Sequence, residues 1–326
     1  MKERIVIAIL VMILGMLIFQ LGIKKFGTFA SPDVVEAENM DVIQLMSEME
    51  NKQAYEKYLA ELSTTNEITS CNETYLNLED KEVANSTTEK IGVDTNDKLP
   101  EYSKLYPDLY VDKVSPEITS HTEKIAYLTF DDGPSDNTVK ILEILKEKNA
   151  VATFFVLGST MTKDGEEALK EMVENGCTVG IHTYSHKKDK IYSSVENFLD
   201  DFYKVYTQIY EITGEKVNIF RFPWGSYNSY SKAIKKDLVN EMERRGFTYY
   251  DWNVSAEDSV GKPTESSIMK NIMKDITKYE EPVILMHDSS SNDLTVKMLP
   301  KIIDKLIGMG YSFDTLDHRE PCQFCY

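Results

Sequence analysis

Five short stretches of the chain carry most of its side chains suited to catalysis. "LTFDDGP" (128–134) sets Asp131 beside Asp132, and "IHTYSH" (181–186) holds His182 and His186. "RFPWG" (221–225) holds Arg221, "DWNVSAEDS" (251–259) holds Asp251 and Asp258, and "ILMHDS" (284–289) holds His287. Adjacent aspartates before Gly-Pro are, by themselves, ordinary turn residues. Histidines at i, i+4 suit two imidazoles on one face of a helical turn that meet a common ion. The chain has only five histidines, so that spacing is informative. One carboxylate with two imidazoles is a donor set for zinc, cobalt, nickel or ferrous iron. Three protein ligands leave positions for water and substrate, as in catalytic sites. A guanidinium such as Arg221 calls for a carboxylate partner. His287, alone, has a satisfied core histidine as its less favoured reading.

Residues are brought together only if elements position them. From about residue 121, β-rich apolar runs alternate with amphipathic stretches. Strands are predicted at 125–130, 151–157, 178–181, 217–222, 247–254, 283–286 and 311–314. Helices are predicted near 136–149, 164–175, 193–213, 230–245, 264–278 and 295–309, several closing on Gly, as in "ENG" and "RRG". Strands separated by helices imply a parallel β/α barrel or an open doubly wound sheet. Both architectures gather chemistry at the C-terminal ends of strands. All five stretches lie at such ends.

The first 120 residues carry no chemistry of this kind. Between Arg4 and Lys24 stand 19 residues with one polar member, Gln20, nearly enough to span a hydrocarbon core as a helix. A retained signal anchor over 1–27 is preferred to a cleaved signal peptide, for which Ala30 offers a weak site. Either way the remainder is exported, with a catalytic part outside a cell membrane. Residues 28–100 read as an acidic juxtamembrane helix (40–62) and a solvated linker. Residues 31–100 hold 16 Asp and Glu against five Lys, much of the chain's net charge of −18. Such acidity argues against a nucleic-acid partner. Tyr102, Tyr106 and Tyr110 suit a segment that packs on the domain at 101–326. Of the four cysteines (71, 177, 322, 325), Cys177 suits a core position. One CxxC pair does not make a zinc ribbon.

In order, "TFDDGP", "HTYSH", "RFPWG", "DWNVSAED" and "ILMHDS" resemble the five motifs of the NodB-type polysaccharide deacetylases, carbohydrate esterase family four. The resemblance covers about residues 121–316. It implies a distorted (β/α)7 barrel, a divalent metal (usually zinc), and removal of acetyl groups from N-acetylglucosamine polymers or xylan. It implies Asp132, His182 and His186 as metal ligands and Asp131 as general base, with Arg221 its partner. It implies His287 as general acid, paired with Asp258. Leu285 falls in the pocket for the acetyl methyl, and Pro223 and the Trp224 backbone N–H on the substrate and oxyanion side. The chain departs from the family at Ser259, where an aromatic often follows the fourth-motif Asp. That wall is missing here, or Trp252 or Trp224 supplies it. Tethering beside a wall makes peptidoglycan the leading polymer, ahead of chitin oligomers, an exopolysaccharide or acetylxylan. A catalytically silent wall-binding protein is the rival of another class, disfavoured because every base, acid and ligand position is filled.

Overall fold

The computed structural model describes residues 99–113 and 124–324. The predicted anchor (1–27), the juxtamembrane helix and linker as far as residue 98, Cys71 and Cys325 lie outside the described residues. No helix among the described residues is long and apolar enough to cross a membrane.

The first strand shows how the sequence makes the layers. In β1 (Lys124–Asp131), Ala126, Leu128 and Phe130 join the large core shared with the helices. Ile125 and Tyr127 point the other way, into a smaller core with Phe155, Ile219, Tyr250, Val283 and Leu316. Alternation along a strand produces both layers. On the inner face, apolar Ile125 and Tyr127 give way to Thr129 and Asp131, so the inner layer turns polar toward the strand's C-terminal end.

Seven further strands follow: β2 (Thr153–Val156), β3 (Thr178–Ile181), β4 (Ile219–Phe220), β5 (Thr248–Tyr249), β6 (Val254–Ser255), β7 (Val283–His287) and β8 (Tyr311–Phe313). Between them run α1 (Asp136–Glu147), α2 (Lys163–Glu174), a short α3 (Lys188–Ile191), α4 (Val195–Thr213), α5 (Lys235–Arg244), α6 (Glu265–Asp275) and α7 (Asp293–Ile307). The sheet order is β5-β4-β3-β2-β1-β7-β6, with β8 beside the start of β1. Every pairing is parallel. The result is an α/β half-barrel consistent with a NodB-type (β/α)7 fold.

The predicted strand 247–254 is two strands. Its first part pairs with β4 and its last with β7, at opposite ends of the sheet order. Between them the Asp251 N–H donates to the Cys322 carbonyl at 2.6 Å rather than to a strand neighbour. The C-terminal segment thus meets the seam that β5 and β6 leave unpaired. The predicted helix 230–245 likewise begins only at Lys235, because Asn228 holds the preceding residues in turns. Its amide donates to the Gly225 carbonyl (2.7 Å) and its side-chain oxygen accepts from the Ser231 N–H (2.9 Å).

Residues 99–113 pack on the barrel, as the tyrosines suggested. The buried Arg245 guanidinium donates to the carbonyls of Leu105 (2.7 Å) and Tyr106 (2.9 Å), and Glu241 balances its charge at 2.7 Å. At Gly246 (φ +90°) a Cβ would lie 1.9 Å from the Val111 carbonyl oxygen, so the approach requires glycine.

Candidate functional site

β1 and β7 run in register, with Thr129 opposite Leu285 and Asp131 opposite His287. Alternation puts these four on the same, inner face. Asp131 is 3% exposed. Arg221, just beyond β4, is fully buried and spreads its donors over four acceptors. It donates to Asp131 Oδ1 (2.9 Å), Thr129 Oγ1 (2.8 Å) and the carbonyls of Tyr250 and Asp251 (both 2.9 Å). Its guanidinium also lies 4.2 Å from the Phe155 ring centroid. Burial pushes the Asp131 carboxyl above the usual carboxylate range, while Arg221 and then His287 draw it back toward ionisation.

Asp132 is oriented differently. Its backbone takes φ +76°, unusual without glycine, and turns the carboxylate toward β3. Oδ1 lies 3.6 Å from Nε2 of both His182 and His186. That oxygen is buried and has no hydrogen-bond partner. His182 Nδ1 donates to the Arg221 carbonyl at 2.9 Å, which directs the Nε2 lone pair at Asp132. Burial pushes the His182 pKa down to about 3, so the ring is neutral and able to ligate. One donor atom from each of the three lies within 4.8 Å of the others. An orphaned carboxylate oxygen facing two imidazole nitrogens fits a divalent cation.

The two histidines do not lie on a helical turn. Thr183 (φ +77°) and His186 (φ +50°) break that geometry. The His186 N–H, which would close a helical turn on the His182 carbonyl, donates instead to Thr183 Oγ1 (3.2 Å). Asp201 of α4 accepts from Tyr184 N–H (2.7 Å) and Ser185 N–H (2.9 Å) to hold the loop. Lys190 balances Asp201 at 2.9 Å.

His287 stands at the tip of β7. Asp258 accepts from its Nδ1 (2.8 Å) and its backbone N–H (2.8 Å), and also from Thr295 Oγ1 (2.6 Å). Burial opposes the imidazolium, but the Asp258 carboxylate outweighs it and the pKa rises to about 10. Asp258 and His287 therefore form one unit, with His287 protonated at neutral pH.

Trp224 (φ +62°) lies beside the triad, its ring 4.4 Å from that of His186. Its turn is held by three hydrogen bonds from two residues. Asp251 accepts from Ser226 N–H (2.7 Å) and Oγ (2.5 Å), and the Tyr192 hydroxyl donates to the Pro223 carbonyl (2.9 Å). Asp251, a strand-end acid on sequence, is thus a buried anchor, which also accepts from Phe324 N–H at 2.9 Å. Trp252 packs with the inner core and Phe324. Of the two tryptophans, Trp224 is the one against the triad. Ser259 bonds to Asn292 (2.9 Å).

Sequence reasoning did not find Asp201, Asp288, Thr129 or Thr295 as supports. Asp201 had a signal: it interrupts the buried stripe Phe198, Phe202, Val205 of α4. Asp288 occupies the place a Cβ on Gly133 would take, 2.2 Å from its Oδ2, so the turn after Asp132 closes only on glycine. Its backbone N–H donates to the Asp131 carbonyl at 3.0 Å.

Comparison with known proteins identifies the family. The polysaccharide deacetylase family model matches residues 119–243. The chain is 32% identical over 248 residues to the putative polysaccharide deacetylase YheN of Bacillus subtilis, covering 72% of this chain and 84% of that protein. It is 32% identical over 220 residues to a peptidoglycan-N-acetylglucosamine deacetylase of Bacillus cereus, covering 66% and 77%. A solved catalytic domain of peptidoglycan N-acetylglucosamine deacetylase from Eubacterium rectale matches with TM-score 0.59 and 34% identity, over 67% of this chain and 98% of that one. The chain belongs to the polysaccharide deacetylase family of hydrolases.

Proposed function

We propose that the protein is a metal-dependent deacetylase of N-acetylglucosamine residues in peptidoglycan. The observation that carries this reading is the division of the site. A bare donor cluster (Asp132, His182, His186) adjoins two proton-handling units, Asp131–Arg221 and Asp258–His287. Peptidoglycan is favoured by the substrates named for the Bacillus cereus and Eubacterium rectale relatives.

Asp132, His182 and His186 hold the cation, for which zinc suits the donor set and cobalt, nickel or ferrous iron are alternatives. When bound, it supplies Lewis acidity that polarises the acetyl carbonyl and acidifies water. Asp131 takes the proton of the attacking water at its carboxylate, with Arg221 holding one oxygen and leaving the other toward the cluster. The Trp224 backbone N–H donates to the developing oxyanion, and Pro223 shapes the turn that aims it. His287 gives its proton to the departing amine nitrogen, and Asp258 keeps it charged until then. Leu285, two residues before His287 on the same face, lines the space for the acetyl methyl.

The chain divides into an anchor (1–27), an acidic reach of helix and linker (28–100) and the catalytic domain (101–326). That division puts catalysis outside the membrane, beside the wall. The test is acetate release by the full chain loaded with Zn2+, on N-acetylglucosamine oligomers, peptidoglycan glycan strands and acetylxylan. Release from the first two that stops on chelation, and is absent in Asp131→Asn, is expected. No release from any of the three, with metal bound, overturns the reading.

A further inference from the structure

Beyond the triad lies a pocket that the chemistry above does not use. It is an open depression of about 260 Å³ between Lys188 and Asp189 of α3, Tyr192, Ser193 and Tyr230. It is continuous with the reaction centre through aromatic contacts. The His186 ring meets Trp224 at 4.4 Å, and Trp224 meets Tyr230 edge-on at 5.4 Å. Its inner wall is rigid, because Tyr192 is buried and its hydroxyl is committed to the Pro223 carbonyl. Aromatic walls with a few convergent polar groups are the usual lining of a site for a small ring.

The pocket is charge-balanced in a protein that is acidic overall. The chain carries −18, while the charged residues that line the pocket are Lys188 and Asp189. Lys190 is committed to Asp201. Lys188 has a different neighbour: its ammonium sits 4.4 Å from the Tyr230 ring centroid. A cation–π contact holds an ammonium in place without neutralising it. Among the described residues no carboxylate oxygen forms an ion pair with Lys188. A fixed ammonium without an ion-pair partner, two ring contacts (Tyr230–Trp224 and Trp224–His186) from the triad, suits an anionic group on the substrate.

We propose that this pocket is a subsite for a carboxylate-bearing sugar next to the one being deacetylated, with Lys188 pairing with that carboxylate. This rests on the proposed function and sharpens it. In peptidoglycan strands freed of their stem peptides the neighbouring sugar is N-acetylmuramic acid with a free lactyl carboxylate (where the peptide is attached, that carboxyl is a neutral amide), whereas chitin offers only neutral neighbours. Asp189 accepts hydroxyls of the same sugar, and Tyr230 bounds its apolar face.

The experiment compares the full Zn2+-loaded chain with Lys188→Met on three substrates. These are peptide-free glycan strands, the same strands with their carboxylates converted to methyl esters, and neutral N-acetylglucosamine oligomers. Lys188→Met is expected to raise KM on the free-acid strands about tenfold with kcat little changed, the size of one lost charge pair. On the esters and neutral oligomers it should match wild type within about twofold. Lys188→Arg should restore most of the affinity. Equal KM for wild type and Lys188→Met on free-acid strands overturns the subsite, as does an equal rise on all three substrates, while acetate release by wild type still supports the proposed function. If wild type deacetylates nothing, that function fails. Calorimetric affinity for free-acid over esterified strands, lost in Lys188→Met, then decides the subsite alone.

Discussion

Two regions of the site use the same residue types in opposite ways. On one side, Asp131 with Arg221 and Asp258 with His287 are matched donor to acceptor at 2.9 and 2.8 Å. On the other, the Asp132 carboxylate meets Nε2 of His182 and His186 at 3.6 Å, outside hydrogen-bond distance, with the His182 lone pair turned toward it. The first arrangement fixes where protons reside and how side chains point. The second is unfavourable for protein alone, because it leaves a buried carboxylate oxygen without a donor. The contrast separates groups that handle protons from groups that wait for a cation, although Asp131 and Asp132 are neighbours in the chain.

The largest effects should come from exchanging those two roles. Asp132→Ala should remove the bound metal, measured by elemental analysis after gel filtration, and with it all activity. Asp131→Asn should keep full metal stoichiometry while kcat falls about 10²–10⁴-fold. Equal metal retention in both variants would erase the distinction.

Next is the buried pair itself. Arg221→Met leaves Asp131 buried without its partner and should cost about 3–5 kcal/mol in urea unfolding. Adding Asp131→Asn should recover part of that loss, since a neutral amide tolerates burial better than an unpaired carboxylate. A double variant less stable than Arg221→Met would show that the guanidinium's carbonyl contacts, and not its charge pairing, dominate.

The cradle should respond to its support more weakly. Asp201→Ala frees the Tyr184 and Ser185 amides that shape the His182–His186 loop, and should weaken metal binding about 10–100-fold in a competitive chelator titration. Unchanged affinity would mean that the loop holds its positive-φ geometry without the carboxylate.

The smallest expected effect is a shift in pH dependence. His287, raised to about 10 beside Asp258, donates its proton as long as pH stays below that value, so wild-type kcat should fall only on approaching it. In Asp258→Asn the largest raising group is gone, and only Asp132 and Asp131 are left to favour the imidazolium against burial. The alkaline limb should then move to lower pH, with activity at pH 9 down about tenfold. An unmoved limb would assign the proton donor to another group.

Much of this was visible in the sequence, for identifiable reasons. Apolar runs bounded by Gly and by polar turns predicted the strand and helix order, because burial periodicity is a local property. The acids and histidines stood out because they sit where those runs stop. Tertiary override appears where an element is decided by a distant partner. The stretch 247–254 looked continuous, yet its two ends belong to strands at opposite ends of the sheet order, and the Asp251 N–H is claimed by Cys322. The i, i+4 histidines suggested a helical turn, yet Thr183 and His186 take positive φ, and Asp201, on another helix, holds the resulting loop by its Tyr184 and Ser185 amides. Asp251 stood out only as an acid at a strand end and serves as the anchor of the Trp224 turn, which nothing in its neighbourhood announces.

What the sequence determined by itself is the inventory and its order: which strand ends carry carboxylate, imidazole and guanidinium. Side-chain type and local periodicity suffice for that. What only the tertiary structure decided is how "LTFDDGP" divides. Asp131 follows the strand's alternation into a buried network with Arg221. Asp132, turned by a left-handed backbone and by the packing of Asp288 against Gly133, faces two imidazoles without a donor. The physical reason is that register and close approach across strands belong to no single segment of the chain.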